Sequence, residues 1–472
     1  MMDYVIIDKD RDASFIYQQV YEGIREKILK RLVRANEKLP SKRELADQLQ
    51  VSVNSITNAY EQLQAEGYIY TVERKGYYVE NIDHIVGEEN KLNNKLPNDL
   101  KENNADNREG WLSLSHMTSD LSIFPFNEWL KCQQRAIKNH IEDLAELTYP
   151  QGPYMVRKTI SRMIGLTRGV ICEPEQIVIG AGTQSLVRQL MELQKNDSII
   201  AVEDPGYSRF YTLLKKMGFV VKTIQLDEKG IEIRQVASSK AKFLFVTPSH
   251  QFPTGIIMPV SRRIELLNWA TEADDRYIVE DDYDSEFKYE TDSIPSLQSL
   301  DRNHRVIYTG TFSKTLLPGI RISYMVLPPN LLREYRNCSA NLMQYSNSLA
   351  LFTLHYFIES GSYAKHVKRM SHHYESKRKL LMNQLKKRFK HNIEIVDIPA
   401  GLHFRASFVT KRTYKEIIEK ARQVKLEIYT MQRFMLEHRY KGDSRMEMIL
   451  GFANIKEGEI EEAVDRLYQC IL

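Results

Sequence analysis

Apolar residues recur every four positions at Ile16, Val20, Ile24, Ile28 and Leu32, which predicts an amphipathic helix near the start of the chain. Pro40-Ser-Lys-Arg-Glu44 opens a second helix. Ser41 and Glu44 have the Ser-x-x-Glu spacing of a capping box, and Leu45 and Leu49 supply a buried face. After a break at Gln50-Val51, Ser52 is placed to cap a third helix running to about Glu66, with Ile56, Ala59, Tyr60 and Leu63 inward and Gly67 as its stop. The pattern then turns β-rich. Stretches 68–72 and 77–79 flank Glu73-Arg-Lys-Gly76, which predicts a hairpin with a basic tip. Three helices and a hairpin make the winged helix-turn-helix pattern, so residues 1–80 are expected to bind DNA.

Residues 81–110 hold eight asparagines, many charges and almost no apolar periodicity, and predict a flexible linker. As a coil its 30 residues would span roughly 30 Å, enough for the first domain to dock on a partner subunit. From Trp111 onward the pattern alternates between short apolar runs (176–179, 198–202, 220–224, 242–247, 277–280 and 305–308) and helical stretches such as 183–194 and 261–271. That alternation predicts an α/β domain over 111–472 with a mostly parallel sheet, its functional loops at the carboxyl ends of the strands. From Ser362 long charged helices and a few strands predict a smaller α+β lobe.

Composition narrows the class without naming it. The 472 residues are 42% hydrophobic and 27% charged, an ordinary globular balance, and a net charge of +4 decides nothing about partners. No run of about 18 apolar residues predicts a membrane span, and the first residues lack the basic and apolar regions of a secretory signal. Cys132, Cys172, Cys338 and Cys470 are scattered, which fits a reducing cytoplasm and argues against disulfides or a metal site. Local charge says more: eight Lys or Arg against Glu26 and Glu37 lie between Arg25 and Arg43, either a solvated helix face or a surface for phosphates. Ser52, Asn54, Ser55, Thr57 and Asn58 fall on the first turns of the third helix, where such domains read major-groove edges; the same short polar residues are also good capping chemistry. Lys42, Arg43, Arg74 and Lys75 are candidate phosphate contacts.

The large domain carries candidate chemistry at its strand ends. Lys314 lies in Gly310-Thr-Phe-Ser-Lys-Thr, with Arg321 seven positions later. A lysine amine can form a Schiff base with a carbonyl cofactor, while Ser313, backbone amides and a guanidinium hold a phosphate. Gly180-Ala-Gly-Thr-Gln184 opens a helix and offers Gly182 and Thr183 to an anion, or is only a tight turn. Asp281 and Tyr283 point the same way from a strand end, and suit a protonated ring nitrogen and its neighbouring oxygen; Asp282 and Asp284 read as a cap or surface acid. Tyr207 can stack on a flat ring, and Arg209 can hold a carboxylate. His250 and Gln251 read equally as structural or as cofactor contacts. Arg433, in a largely apolar stretch, is expected to need an anionic partner, either an internal acid or a ligand.

The succession Gly-x-Gly-Thr, Pro-Gly-Tyr, Pro-Thr-Gly, Asp-x-Tyr and Ser-Lys resembles fold-type I pyridoxal-phosphate enzymes of the class I aminotransferase kind over 111–472. The whole chain resembles the MocR subfamily of GntR regulators. That likeness is carried by Pro-Ser-Lys-Arg-Glu-Leu-Ala at 40–46, Glu-Gly-Tyr at 66–68, Glu-Arg-Lys-Gly at 73–76, Ile-Gly-Ala-Gly-Thr-Gln at 179–184, Thr-Pro-Ser-His-Gln-Phe-Pro at 247–253 and Glu-Asp-Asp-Tyr-Asp-Ser-Glu-Phe at 280–287. The resemblance implies pyridoxal 5'-phosphate on Lys314, with Asp281 on the ring nitrogen, Tyr283 on the hydroxyl oxygen and Tyr207 stacked on the ring. Gly182, Thr183, Thr311, Ser313 and Arg321 would hold the phosphate, and Arg209 and Arg433 an effector carboxylate. It further implies a head-to-tail homodimer on double-stranded operator DNA and a small amino-acid effector, with 4-aminobutyrate (GABA) first in line. Two positions depart from pattern. Phe252 stands where class I aminotransferases have Asn, which makes efficient transamination less expected, and Val53 stands where the reading helix commonly has Arg.

Overall fold

The computed structural model describes residues 15–82, 96–101, 108–115, 120–195, 197–289, 294–339, 343–437 and 445–472. The chain separates into two compact units, Met1–Asn107 and Arg108–Leu472. Most of the expected linker lies outside the described residues.

In the first unit α1 (Ile16–Leu29) buries Val20, Ile24 and Ile28. It ends a turn earlier than the four-residue spacing predicts. Lys30 caps it and Arg31 takes a left-handed φ of 57°, so Leu32 is thrown outward (62% exposed) and Val33 enters the core instead. Ser41 and Glu44 form the expected capping box on α2 (Lys42–Leu49): Glu44 N donates to Ser41 Oγ at 3.3 Å, and Ser41 N to Glu44 Oε2 at 2.8 Å. α3 (Val53–Ala65) is capped by Ser52 and buries Ile56, Ala59, Tyr60 and Leu63. The Tyr60 hydroxyl donates to the Pro40 carbonyl at 2.9 Å, tying α3 to the start of α2. β1 (Ile69–Val72) and β2 (Gly76–Val79) pair antiparallel as the wing, with Arg74 at its tip in a left-handed turn.

The second unit opens with β3 (Leu112–Ser113). Its large sheet contains β4 (Ile177–Gly180), β5 (Ile199–Asp204), β6 (Val220–Asp227), β7 (Gly230–Ile231), β8 (Phe243–Val246), β9 (Tyr277–Asp282), β10 (Val306–Thr311) and β11 (Ser323–Val326), in the order β4-β11-β10-β9-β8-β5-β6-β7. All run one way except β11 and β7. The fully buried runs Ile-Val-Ile-Gly, Phe-Leu-Phe-Val and Ser-Tyr-Met-Val are covered on both faces, which is why they lack alternation. The smaller lobe is an antiparallel sheet of β12 (Ile393–Val396), β13 (His403–Val409), β15 (Tyr429–Thr430) and β16 (Arg445–Gly451), packed on helices Ser362–Phe389 and Ile460–Ile471. β14 (Leu426–Glu427) pairs parallel with β3, so the unit's first strand belongs to the lobe formed by its last residues. Among the described residues no helix is long and apolar enough to cross a membrane.

Candidate functional site

The large sheet delivers its polar residues at the carboxyl ends of five strands. After β4 the chain turns at Gly182, φ 103°, into helix Thr183–Glu192. Glycine suits that φ, which other residues rarely adopt, and a Cβ would push Arg321 Nη2, 2.1 Å away, out of the turn. The guanidinium therefore meets the helix N-terminus, a double attraction for an anion. A ladder of hydroxyls completes the cradle. Thr183 Oγ1 donates to Ser323 Oγ (3.4 Å), and Ser323 Oγ donates to Thr311 Oγ1 (2.8 Å), which also accepts from Ser313 N (3.2 Å). Ser313 Oγ is buried without a partner among the described residues. A buried hydroxyl with no acceptor is costly unless a ligand supplies one, and a phosphate oxygen does.

Lys314 follows, in a cavity of about 290 Å³ that also receives Tyr207, Arg209, Asp281, Tyr283, Thr311 and the cradle. Burial brings its ammonium down to about 8, against the pull of Asp284. Burial pushes the Asp281 carboxyl up to about 7, although Thr309 Oγ1 donates to its Oδ1 at 3.0 Å. A carboxyl so placed gains from a cationic ring nitrogen, and the pair then offsets its own desolvation. Orphaned hydroxyl, glycine-limited anion cradle, buried lysine and raised carboxyl are the donor set pyridoxal phosphate requires, so the residues fit it. A larger cavity of about 730 Å³ is lined by Arg168, Tyr308 and Glu286, between helices Tyr154–Arg168 and Ser362–Phe389; neither Lys314 nor the cradle lines it.

All nine sequence-predicted cofactor residues and Arg209 thus line one cavity. Arg433 does not line it. Its guanidinium is exposed and stands 4.3 Å over the Tyr429 ring, so the expectation that it is buried and needs an anion is corrected: aromatic contact and water suffice. Asp282 and Asp284 are neither caps nor surface acids. Asp282 Oδ2 accepts from Arg168 Nε (2.7 Å) and the Tyr308 hydroxyl (2.6 Å), and Asp284 is bound by His250. Gln251 is structural, its amide spanning Glu203, the Pro205 and Phe252 carbonyls and Thr254. The sequence reading missed Thr309 and Ser323. Their signal was a hydroxyl inside an otherwise apolar strand, one position from a motif residue on β10 or opposite one on β11.

On the first unit, Ser52 Oγ accepts from Ser55 N at 3.1 Å and lies 2.9 Å from Ser55 Oγ, so both hydroxyls serve the cap. Asn54 and Asn58 are exposed on the same helix and Thr57 is half-buried. Arg43, Arg74 and Lys75 are exposed. Lys42 is more tied: its Nζ lies 3.7 Å from Glu61 and 5.5 Å from the Tyr77 ring centre.

Residues 111–467 match the family Aminotransferase class I and II, and residues 16–79 match the bacterial regulatory proteins of the gntR family. An uncharacterized HTH-type transcriptional regulator, YdeL of Bacillus subtilis (strain 168), is 34% identical over 453 residues, 96% of each chain. The probable rhizopine catabolism regulatory protein MocR of Rhizobium meliloti is 28% identical over 491 residues, covering 99% of this chain and 96% of its own. Among solved structures, the α-aminoadipate aminotransferase LysN from Thermus thermophilus, complexed with N-(5'-phosphopyridoxyl)-L-leucine, superposes with a TM-score of 0.67 at 22% identity, covering 77% of this chain and 92% of that one. Fold and site together define a helix-turn-helix regulator built on an aminotransferase scaffold whose cofactor is pyridoxal 5'-phosphate. The chain belongs to the GntR-type transcriptional regulators that carry an aminotransferase class I and II domain, the group that includes MocR.

Burial also sets a pH dependence. It pushes the carboxyls of Glu203, Asp281 and Glu286 up to about 7. A carboxyl whose folded pKa exceeds its unfolded one stabilises the fold below the unfolded pKa, and loses that contribution as pH rises through the folded value. His366 and His403, pulled down by burial to about 4 and about 3, act oppositely but only below about 6.5. Lys314 acts only above about 8. Between pH 6.5 and 8 the carboxyls dominate, so the cofactor-free protein is expected to lose up to about 1.4 kcal/mol per proton released per pH unit. Denaturant melts at pH 6.5, 7.2 and 8 check the sign; rising stability would contradict it.

Proposed function

We propose that the protein is a cytoplasmic transcriptional regulator that senses GABA through its aminotransferase-like domain. It would act as a head-to-tail homodimer on operators of GABA-utilisation genes and of its own gene. The observation that carries this is the cavity itself, which the Lys314 amine and the Arg209 guanidinium line together. When bound, the cofactor supplies an aldehyde that condenses with amines and a ring that withdraws electrons. Lys314, held near 8, gives up its proton readily, which would leave a neutral amine to hold the cofactor's aldehyde. Asp281 and Tyr283 fix the ring, and Arg209 pairs with the effector carboxylate. Arg433 is the second guanidinium assigned to that carboxylate; it rests on Tyr429, which shares an apolar cluster with Phe252 and Phe434. Phe252, in place of a hydrogen-bonding Asn, favours sensing over turnover. On the DNA side, Asn54 and Asn58 would read bases, while Arg43, Arg74 and Lys75 would hold phosphates.

Titrating the cofactor-loaded protein with GABA and a panel of amino acids, followed by its visible absorbance, tests the effector. Arg209→Ala and Arg433→Ala are each expected to weaken the GABA response by about tenfold or more, as a charge-assisted contact is lost, while cofactor still loads. Parent-like responses in both would remove the carboxylate clamp. A true aminotransferase with a DNA-binding appendage is the alternative, favoured by the gathering of Lys314, Asp281, Tyr283 and Arg209 in one cavity. Steady-state transfer from GABA to 2-oxoglutarate at about 1 s⁻¹ or faster would establish it.

A further inference from the structure

Tyr283 also meets a buried cluster of two histidines and an acid. His250, Asp284 and His403 are all about 2% exposed, and one ring nitrogen of each histidine and one Asp284 oxygen lie within 4.8 Å of one another. His250 Nδ1 lies 2.9 Å from Asp284 Oδ2 and 3.0 Å from the Tyr283 hydroxyl. His403, whose Nε2 donates to the Pro253 carbonyl at 3.2 Å, roofs the His250 ring at 4.9 Å between centres. Gly401, φ 70°, closes the box: a Cβ there would lie 2.1 Å from His250 Cε1 and 2.5 Å from Asp284 Oδ2. Any side chain at 401 would displace the imidazole.

Burial pushes the Asp284 carboxyl up, but His250, His403 and Lys288 outweigh it and hold it below the usual range. An ionised carboxylate only accepts, so the hydrogen in the 2.9 Å contact sits on His250 Nδ1. That nitrogen has no lone pair left for Tyr283. The phenol hydrogen then has two destinations: back to Asp284, which is within its reach, or forward into the cavity.

We propose that His250 is a positioning residue: by donating to Asp284 Oδ2 it competes with the Tyr283 hydroxyl for that carboxylate and turns the phenol hydrogen toward the Lys314 cavity and the cofactor's ring oxygen. The inference rests on pyridoxal phosphate occupying that cavity. It assigns to Tyr283 and His250 together the oxygen contact that Phe252 cannot make. The other charged or titratable groups facing the cluster are Asp281, Glu203, Glu286, Lys288, Tyr289 and Lys314.

The test is a titration of the visible band of the pyridoxal phosphate-loaded protein from pH 5 to 9. Donation to the ring oxygen stabilises its anion and so weakens proton binding by the chromophore. His250→Leu is expected to raise the midpoint by about one unit. His250→Asn, whose amide keeps an N–H near the Nδ1 position, is expected to stay near the parent. In a Tyr283→Phe background, His250→Leu is expected to add no further shift, since the two residues act as one. The inference is overturned if His250→Leu titrates like the parent, if His250→Asn shifts as far as His250→Leu, or if the two substitutions add in full. Should His250→Leu not fold, His250→Phe is read by the same criteria. A parent protein that takes up no colour overturns the cofactor assignment itself, a different result from coloured variants with unmoved midpoints.

Discussion

Arg168→Met is expected to cost the large unit about 3–5 kcal/mol of stability, the loss typical of removing one partner from a buried ion pair. Arg168 is the last residue of helix Tyr154–Arg168, and Gly169 turns the chain away in a left-handed cap, φ 68°. Its buried guanidinium gives Nε to Asp282 Oδ2 at 2.7 Å and Nη2 to Ser249 Oγ at 2.6 Å, and it also donates to the Ile294 carbonyl. Methionine keeps an unbranched apolar stem but, among the described residues, leaves Asp282 with only the Tyr308 hydroxyl, beside Asp281 and the buried Glu280 and Glu286. The three tryptophans, Trp111, Trp129 and Trp269, all lie in the large unit, so their fluorescence in a urea titration reports on it alone. Combining Arg168→Met with Asp282→Asn should return most of the loss, because the stranded charge goes with its partner. A loss below about 1 kcal/mol for the single variant would mean that the pair contributes no more than a surface contact.

That ion pair also shows where sequence reasoning stops. Arg168 and Asp282 are 114 residues apart and meet only because a helix end packs over the edge of β9. In the sequence Asp282 looks like a spare acid beside Asp281, since nothing local tells an alternating strand residue which face is buried. His250 and Asp284 stay ambiguous for the same reason, their contact requiring both β8 and β9. The cofactor residues other than Arg321 were legible because each sits within three residues of a strand's carboxyl end, where a short motif carries its own turn: glycine at 182, serine and lysine after β10. Element starts were legible where capping chemistry marks them, as at Ser41 and Ser52. The end of α1 was not, because Leu32 continues a four-residue spacing that Arg31 breaks by backbone conformation alone. Arg433 was misread as buried because its neighbours are apolar; Tyr429 offers a ring face on which a guanidinium can stay in water.

Asp281→Asn is expected to move cofactor affinity and protein stability in opposite directions. Asparagine keeps the shape and can still accept the Thr309 hydroxyl, now 3.0 Å from Oδ1, but carries no charge. In the parent the carboxyl, raised to about 7 by burial, must ionise inside the cavity as pH passes that value. As for any carboxyl raised by burial, this weakens the cofactor-free fold at pH 8. Removing the charge removes the penalty, so cofactor-free Asp281→Asn is expected to melt above the parent at pH 8 and to differ little from it only near pH 4, where the carboxyl is largely protonated in the unfolded chain as well. Pyridoxal phosphate depends on the same charge, because a cationic ring nitrogen needs a buried anion opposite it. Truncating one member of such a pair costs about 2–5 kcal/mol, so the dissociation constant should rise by about thirtyfold or more. Equilibrium dialysis and thermal melts at the two pH values separate the cases. If affinity falls with no gain in stability at pH 8, the substitution has disturbed the cavity generally. If stability rises with affinity unchanged, the ring nitrogen does not face Asp281. Only the crossed outcome identifies a carboxylate kept at the cost of stability for the group it holds.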